Sequence, residues 1–452
     1  LLSLVMALSL VFASCKKNNS VTGGDVPGDE PDTVAPPTDL SGGLFDSQDK
    51  LNQYSDKPVQ SSQIAKFENN NYMRNPVITT INGQGVFIAY EIRYQSPGSG
   101  NDTALTGTNT VSIAYTVSEN AGVSFDTSVN VNYVGGQATS PNNSHGAPIV
   151  FNTGKQIIVV ASAGIGLSVG TYKADGTQSK IEYAVADING NTIGAFSEWK
   201  PIDNITIENI NNGASTTFKQ FGTLAARGTV TSDGKLLLPV TVADFINQNG
   251  VGWANSKWGY VVYEGSLNGG NTIQWKKVSI KPVEMQLADK TKATQIVKVD
   301  SDGNFTALTV NDNTSDLKLY QSTKNNTTVT KTTIQAGDGS AGTLVVKNWK
   351  GTELYAPNSY DTNSGNEQCL VSHVLELAKK VAIRRVDSTF QNQQGASFEL
   401  GGAYTDNSKS SSLDILKDGT IVMVAEGGKV IDNDPQGGRP FYLYFNRYTQ
   451  AY

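Results

Sequence analysis

Histidine and cysteine are nearly missing from this chain, with two of each in 452 residues. That scarcity excludes zinc ribbons, His-rich metal sites and disulfide scaffolds, and it leaves few options for a serine–histidine–aspartate hydrolase. A surplus of positive charge is lacking too. The 35 basic residues face 41 acidic ones, for a net charge of -6, which argues against a nucleic-acid-binding protein. With 38% hydrophobic and 17% charged residues, the chain is too polar to cross a membrane many times and too apolar to be disordered. Long helical periodicity is scarce. Glycine is plentiful, at 45 residues, and short β-branched or aromatic stretches recur between turn residues, so the fold class is expected to be all-β. The length allows about three domains of roughly 150 residues, or one large all-β assembly.

Residues 1–14 carry no charge and end in Phe12-Ala13-Ser14, just before Cys15. A short apolar run closed by small residues reads as a secretory leader, and a cysteine placed there resembles a bacterial lipobox. The expectation is a lipoprotein signal peptide over 1–14, cleavage before Cys15, and acylation of its thiol. The alternative is a plain secretory signal. The missing initiator Met and basic n-region suggest that the leader begins a few residues upstream. Residues 15–50, rich in Gly, Pro, Asp, Thr and Ser, read as a flexible tether. The folded part is expected over 51–452, with Cys369 as a buried thiol.

From Asn75 onward one unit recurs: an apolar stretch, a Gly/Asn/Asp turn, and a second apolar stretch. Examples are Pro76–Tyr90 around Asn82-Gly83, Pro148–Ala161 around Thr153-Gly154, Arg227–Val240 around Asp233-Gly234, Ile296–Thr309 around Asp302-Gly303, and Leu413–Ala425 around Asp418-Gly419. Each turn supplies the positive φ that a tight hairpin needs. The spacing leaves one wider gap with room for a sixth unit. Six units of roughly 60 residues predict a six-bladed β-propeller of four-stranded antiparallel blades. A pair of β-sandwiches is the rival, but no Pro/Ser-rich break divides the chain.

Between hairpins lie copies of one turn: Ser118-Glu-Asn120-Ala-Gly122-Val-Ser124-Phe125, then Ser266-Leu-Asn268-Gly-Gly270-Asn-Thr272 with Trp275, and a poorer Ser322–Thr328. They resemble the Asp box of sialidases, with Asn in place of Asp. Tyr72-Met-Arg74-Asn75-Pro76 is similar to the Phe/Tyr-Arg-Ile-Pro motif opening the first sialidase blade. Ala89–Tyr94 with Asn101-Asp102, Gln220–Val240, Gly402–Tyr404, Asp418–Glu426 and Phe441–Tyr448 follow the family in order across nearly the whole chain. The chain is identified on these segments as a divergent member of the sialidase superfamily.

The resemblance implies an exo-α-sialidase. Its substrate carries a carboxylate on the anomeric carbon, which guanidinium groups hold by bidentate geometry, and a Tyr nucleophile replaces the usual second carboxylate. Matched by position, Arg74 is the first arginine of the carboxylate clamp and Glu426 its orienting partner. Arg93 lies near the sugar's distal hydroxyls and Asp102 is the general acid. Tyr404 is the nucleophile if a seven-residue insertion, Thr405 to Ser411, follows it; without that insertion the aligned residue is Ser411, which could not do the same job. Lys318 stands where the second clamp arginine belongs. No basic residue stands at 366–369 for the third, and Ala293 or Thr294 occupies the place of the Glu base. Glu284, Glu376, Arg384 and Arg385 are charged residues in the same half of the chain. Plainer readings exist: a strand-edge ion pair for Arg74, a turn for Asp102, an interior tyrosine for Tyr404, a solvated strand residue for Lys318. Asp300–Asn304 reads as a hairpin turn rather than a calcium loop, and no metal is assigned to His145 or His373.

The implied partners are sialylated glycans or glycoproteins. No cofactor, metal or nucleic acid is expected, membrane contact is through the lipid anchor only, and the protein acts as a monomer at the bacterial cell envelope, in the outer membrane or at the cell surface. The alternatives are a catalytically inactive propeller that binds glycans or a surface protein, and a hydrolase for a neutral sugar.

Overall fold

The protein was analysed as a computed structural model, which describes residues 60–65, 71–94, 105, 109–125, 131–167, 179–244, 257–269, 271–279, 281–285, 291–299, 302, 304–311, 317–322, 329–335, 339–340, 346–349, 368–375, 380–387, 398–400, 410–416, 420–427 and 442–448. These residues form six sheets in chain order. Sheet I holds Asn71–Ile81, Gly85–Tyr94, Thr110–Ser118 and Asn132–Tyr133, and sheet II is built on His145–Asn152, Gln156–Gly164 and Ser179–Asn189. Sheet III contains Leu236–Ala243, Trp258–Leu267 and Ile273–Lys277, and sheet IV runs from Thr291–Val299 to Val329–Gln335. Sheet V, around Gln368–Leu375 and Lys380–Asp387, occupies the wider gap in the hairpin series. Sheet VI combines Ser411–Ile415, Ile421–Gly427 and Tyr442–Tyr448 with Gln60–Ala65, which pairs antiparallel to Tyr442–Tyr448. A strand from the beginning of the described chain thus completes the last sheet. Each sheet packs on the next, and sheet VI packs on sheet I.

Apolar side chains fill the seams between neighbouring sheets. Ile78, Ile88, Val422 and Phe445 share one cluster between sheets I and VI. Val77, Phe87, Ala89, Val150 and Val159 share another between sheets I and II. Successive residues of one strand therefore feed opposite clusters, because side chains alternate across a strand. Both faces of these strands are buried, which is why Val86–Tyr90, Ile157–Ala161 and Ile421–Ala425 read as continuous apolar runs rather than as alternation.

Two features depart from uniform four-stranded antiparallel blades. The sheets have four, six, six, four, five and four strands, and Ala226–Arg227 pairs parallel to Ile149 and Val150 of sheet II. The leading strand of sheet III is the cause. It pairs at Gln220–Gly222 and again at Thr229–Val230, but between them it swings out to the neighbouring sheet. Gly228 permits the swing, since a Cβ there would lie 2.2 Å from a ring carbon of Phe151.

The first Asp-box-like turn is closed by its own side chains. Asn120 Oδ1 accepts from Ser124 N–H at 3.0 Å and Ser118 Oγ accepts from Gly122 N–H at 2.8 Å. Phe125 meets Phe445 edge-on with centroids 4.7 Å apart. An amide thus performs the turn closure. In the second copy Asn268 N–H donates to Thr272 O, and Trp275 joins the cluster between sheets II and III. The third copy lies outside the described residues except for Ser322.

Candidate functional site

The leading strand of sheet I is bulged between Arg74 and Val77. Asn75 sits there at φ 54°, a left-handed conformation that Asn tolerates better than most residues. Pro76 follows and has no N–H to place in the ladder. The bulge turns Asn75 N–H toward the neighbouring sheet, where it donates to Glu426 Oε1 at 2.6 Å. The other carboxylate oxygen, Oε2, accepts from Arg74 Nε at 3.1 Å. Glu426 is fully buried, whereas the Arg74 side chain is 20% exposed. Residues 352 positions apart in the sequence thus form one unit, in which a buried carboxylate satisfies a bulge N–H and fixes a guanidinium at the protein surface.

The same device recurs on the next two sheets. In sheet II the bulge falls between Gly146 and Ile149, with Ala147 at φ 52° before Pro148. Ala147 N–H donates to Glu91 Oε1 of sheet I at 2.5 Å. At sheet III, Thr223 N–H donates to Ser162 Oγ of sheet II at 2.7 Å. Each time, the second strand of one sheet sends an acceptor to the leading segment of the next. The cations differ. Gly146 occupies the place of Arg74, and Glu91 is instead paired to Arg93 Nε at 2.7 Å, both side chains being buried. Arg93 and Glu91 lie two apart in one strand and so share a face. Arg74 and Glu91 are register partners across sheet I, which puts both ion pairs at the same end of that sheet. Tyr94 follows, with its hydroxyl 2.9 Å from that of Tyr133. Burial, then the Tyr94 hydrogen bond, pushes the Tyr133 phenol up, and burial followed by the charge of Tyr94 pushes Tyr90 up to about 12. Both phenols are therefore neutral at physiological pH.

Arg74, Arg93 and Glu426 are thus brought to neighbouring positions. Lys318 is placed by its backbone alone, in the strand Leu317–Ser322 opposite Thr309 and Thr333. Thr294 also pairs with Thr309, and Ala293 with Val310, so these positions share one end of sheet IV. Asp102, Tyr404, Glu376 and Cys15 lie outside the described residues. Arg384 and Arg385 lie in the strand Lys380–Asp387 of sheet V, and Cys369 lies in its neighbour opposite Val386.

Glu284 does not suit the role of a base. Its carboxylate accepts from Ser215 N–H, Thr216 N–H and Thr216 Oγ1 at 2.9–3.0 Å. Burial alone would raise its pKa, but these bonds outweigh burial and hold it below the usual carboxylate value. It clamps a turn.

Several charged groups have no role assigned from the sequence. Glu91 is one, although Val86–Glu91 and Ile421–Glu426 are two apolar runs ending in Glu, a visible internal repeat. Arg227 is another. Almost fully buried, it pairs with Asp414 of sheet VI at 3.1 Å. His145 is a third, stacked on Trp199 and 2.8 Å from Glu182. No cluster of three or more metal-ligating residues occurs among the described residues.

No family model matches the chain, and no curated protein matches its sequence. Solved structures match its fold. A Hadza microbial sialidase aligns with a TM-score of 0.55 and 14% identity, over 83% of this chain and 65% of that one. A Trypanosoma rangeli sialidase in complex with 2,3-difluoro-KDN aligns with a TM-score of 0.55 and 15% identity, over 88% and 59%. A protein of unknown function from Dyadobacter fermentans aligns with a TM-score of 0.54 and 11% identity, over 87% and 98%. The chain spans less than two thirds of the length of either sialidase. At these identities the likeness is one of fold: a mostly β protein that matches the sialidase β-propellers.

Proposed function

We propose that the chain is a six-bladed β-propeller acting as an exo-α-sialidase on terminal sialic acid of glycoconjugates, held at the bacterial cell envelope by acylation of Cys15. The cyclic packing of six sheets supports the propeller reading, with Gln60–Ala65 closing the ring. The observation that carries the functional reading is the Arg74–Glu426 unit. A guanidinium fixed at the mouth of a propeller by a fully buried carboxylate is a preorganised receptor for the substrate carboxylate. Arg93, paired to Glu91 beside it, faces the distal hydroxyls. Lys318 contributes the second positive charge, without the fork geometry of arginine. Tyr404 attacks the anomeric carbon as the glycosidic bond breaks, Asp102 protonates the leaving oxygen, and water then displaces the tyrosine.

A second reading rests on a specific observation. Ala293 and Thr294 offer no base for Tyr404, and Glu284 is consumed in a turn. A propeller that binds sialylated glycans without cleaving them fits those facts. Release of 4-methylumbelliferone from its α-sialoside by the purified protein separates the two. The hydrolase reading expects turnover that disappears in Arg74→Ala and in Tyr404→Phe. A folded wild-type protein that retains sialic acid but releases no fluorophore identifies the binding propeller. Incorporation of labelled palmitate that stops in Cys15→Ser tests the anchor.

A further inference from the structure

Asparagine precedes glycine at Asn82-Gly83, Asn189-Gly190, Asn212-Gly213, Asn249-Gly250 and Asn268-Gly269, and the fold treats these pairs unequally. With no Cβ on the glycine, the asparagine side chain can fold back until its amide carbon meets the glycine nitrogen. The approach needs an amide free of partners and a backbone outside regular structure. Asn82, in the tight turn between the first two strands of sheet I, donates from Nδ2 to Gly190 O. Asn189 is held opposite Thr192 at the end of the strand Ser179–Asn189. Asn212 caps the helix Ile207–Asn211, its N–H donating to Glu208 O and its carbonyl accepting from Lys277 Nζ at 3.1 Å. Asn249-Gly250 lies outside the described residues. Asn268 alone among the four described pairs has both freedoms. It follows the strand Trp258–Leu267 in the second Asp-box-like turn, and both it and Gly269 are exposed. Its backbone N–H donates to Thr272 O, but its side-chain amide and the Gly269 N–H make no hydrogen bond among the described residues. Gly269 sits at φ 77°, and a Cβ there would meet nothing within 4 Å. In the first copy of the turn Asn120 uses both ends of its amide, Oδ1 accepting from Ser124 N–H and Nδ2 donating to Ser124 Oγ at 2.9 Å, and alanine follows it.

We propose that Asn268-Gly269 is a site of spontaneous covalent modification, with water as the co-reactant. The Gly269 nitrogen gives up its proton and attacks Asn268 Cγ. The new N–C bond closes an imide ring, and the side-chain nitrogen leaves as ammonia, carrying off a proton. Water then opens the ring at either carbonyl and leaves an aspartate or an isoaspartate at 268, with no electron exchanged. This chemistry is one reason asparagine counts among the thermally labile residues. The two products differ in consequence. The aspartate keeps the backbone path and puts a carboxylate in the turn. The isoaspartate routes the chain through the side chain and adds a methylene between Trp258–Leu267 and the edge strand Ile273–Lys277 paired to it. Ile273 and Trp275 of that edge strand fill the seam with sheet II, so the added length loosens a packed seam. The inference is independent of the hydrolase reading.

Incubation of the purified full chain at neutral and mildly alkaline pH tests it, with peptide mapping by mass spectrometry and labelling of isoaspartate by a carboxyl methyltransferase. In the folded protein the peptide containing Asn268 should gain the mass of an amide-to-acid change and accept the label. It should react at least about tenfold faster than the peptides containing Asn82, Asn189 or Asn212, which must first open locally. The rate should rise with pH, because the attacking nitrogen must lose its proton. In urea the four pairs should react at similar rates, since the contrast comes from the fold. Asn268→Gln should abolish the label at that peptide and leave the others unchanged. The isoaspartate fraction of aged protein should unfold at lower urea than Asn268→Asp, which carries the product charge without the added methylene. A folded protein in which Asn82, Asn189 or Asn212 reacts as fast as Asn268 would overturn the proposal. So would one in which Asn268 stays intact while the unfolded chain loses its amide there.

Discussion

Glu426 shows how much one side chain organises. It is fully buried, and its two oxygens serve Arg74 Nε and Asn75 N–H. Glu426→Ala should cost about 2–3 kcal/mol, because it removes a charge-assisted bond and leaves a bulge N–H without its acceptor. Glu426→Gln keeps one acceptor and should cost less, about 1 kcal/mol. Urea unfolding of the three proteins checks the order. Glu284 supplies a pH test. Its folded pKa lies below the ordinary 4.5, so its contribution to stability is complete above that value and is lost as pH falls through the folded pKa. Unfolding midpoints from pH 7 down to about pH 3 should show wild type losing more stability than Glu284→Gln. Arg74, Glu426 and Arg93 were legible only through their resemblance to a family motif. The partner of Arg93 was legible in principle, since Glu91 sits two residues away on the same strand face. Arg227 and His145 gave no signal, because their partners Asp414 and Glu182 are distant in sequence and a lone buried Arg or His looks like any other.

At the scale of the element, the strands were the most legible part of the chain. The turns at Asn82-Gly83, Thr153-Gly154 and Asp233-Gly234 each join two paired strands, and Asn82, Gly83, Gly154 and Gly234 take the positive φ that those turns require; Gly303 and Asp418-Gly419 of the other two lie outside the described residues. The detours were not legible. A bulge is a one-residue change of register, and nothing in Arg74-Asn75-Pro76 or Gly146-Ala147-Pro148 announces it except a proline after a residue that must turn left-handed. The bulge makes its own prediction. Asn75 at φ 54° tolerates glycine, whereas a β-branched side chain there meets its own carbonyl. Asn75→Gly should stay within about 0.5 kcal/mol of wild type, and Asn75→Val should lose about 1–3 kcal/mol. If the bulge also aims Arg74, Asn75→Val should weaken sialic acid binding beyond what its stability loss explains. Isothermal titration of the folded variant reads that effect.

Across the whole molecule, the problem is closing a ring of sheets whose first and last members come from opposite ends of the folded chain. The apolar seam between sheets I and VI and the strand Gln60–Ala65 supply part of the closure. A buried polar network supplies another part. Asp414 Oδ2 accepts from Thr80 N–H and Oγ1 at 2.8 and 3.1 Å, and its Oδ1 faces Arg227 at 3.1 Å. Asn152 Nδ2 in turn donates to Thr80 O at 2.7 Å. Sheets VI and I and the displaced segment Ala226–Arg227 are thereby joined through one carboxylate, and Asn152 of sheet II joins them through the Thr80 carbonyl. Removing that carboxylate leaves Arg227 buried beside a cavity, so Asp414→Ala should destabilise by about 3–5 kcal/mol. The charge itself is not what the ring needs, because desolvation offsets much of the pair's attraction. Arg227→Met with Asp414→Leu should therefore recover a large share of that loss, leaving mainly the cost of the unpaired Thr80 N–H, about 1–3 kcal/mol. Calorimetric unfolding of the single and double variants decides the point. A double variant as unstable as Asp414→Ala would mean that the ring is held shut by the ion pair itself, while a recovered one would mean that packing holds it and the network only fixes the register of the sheets.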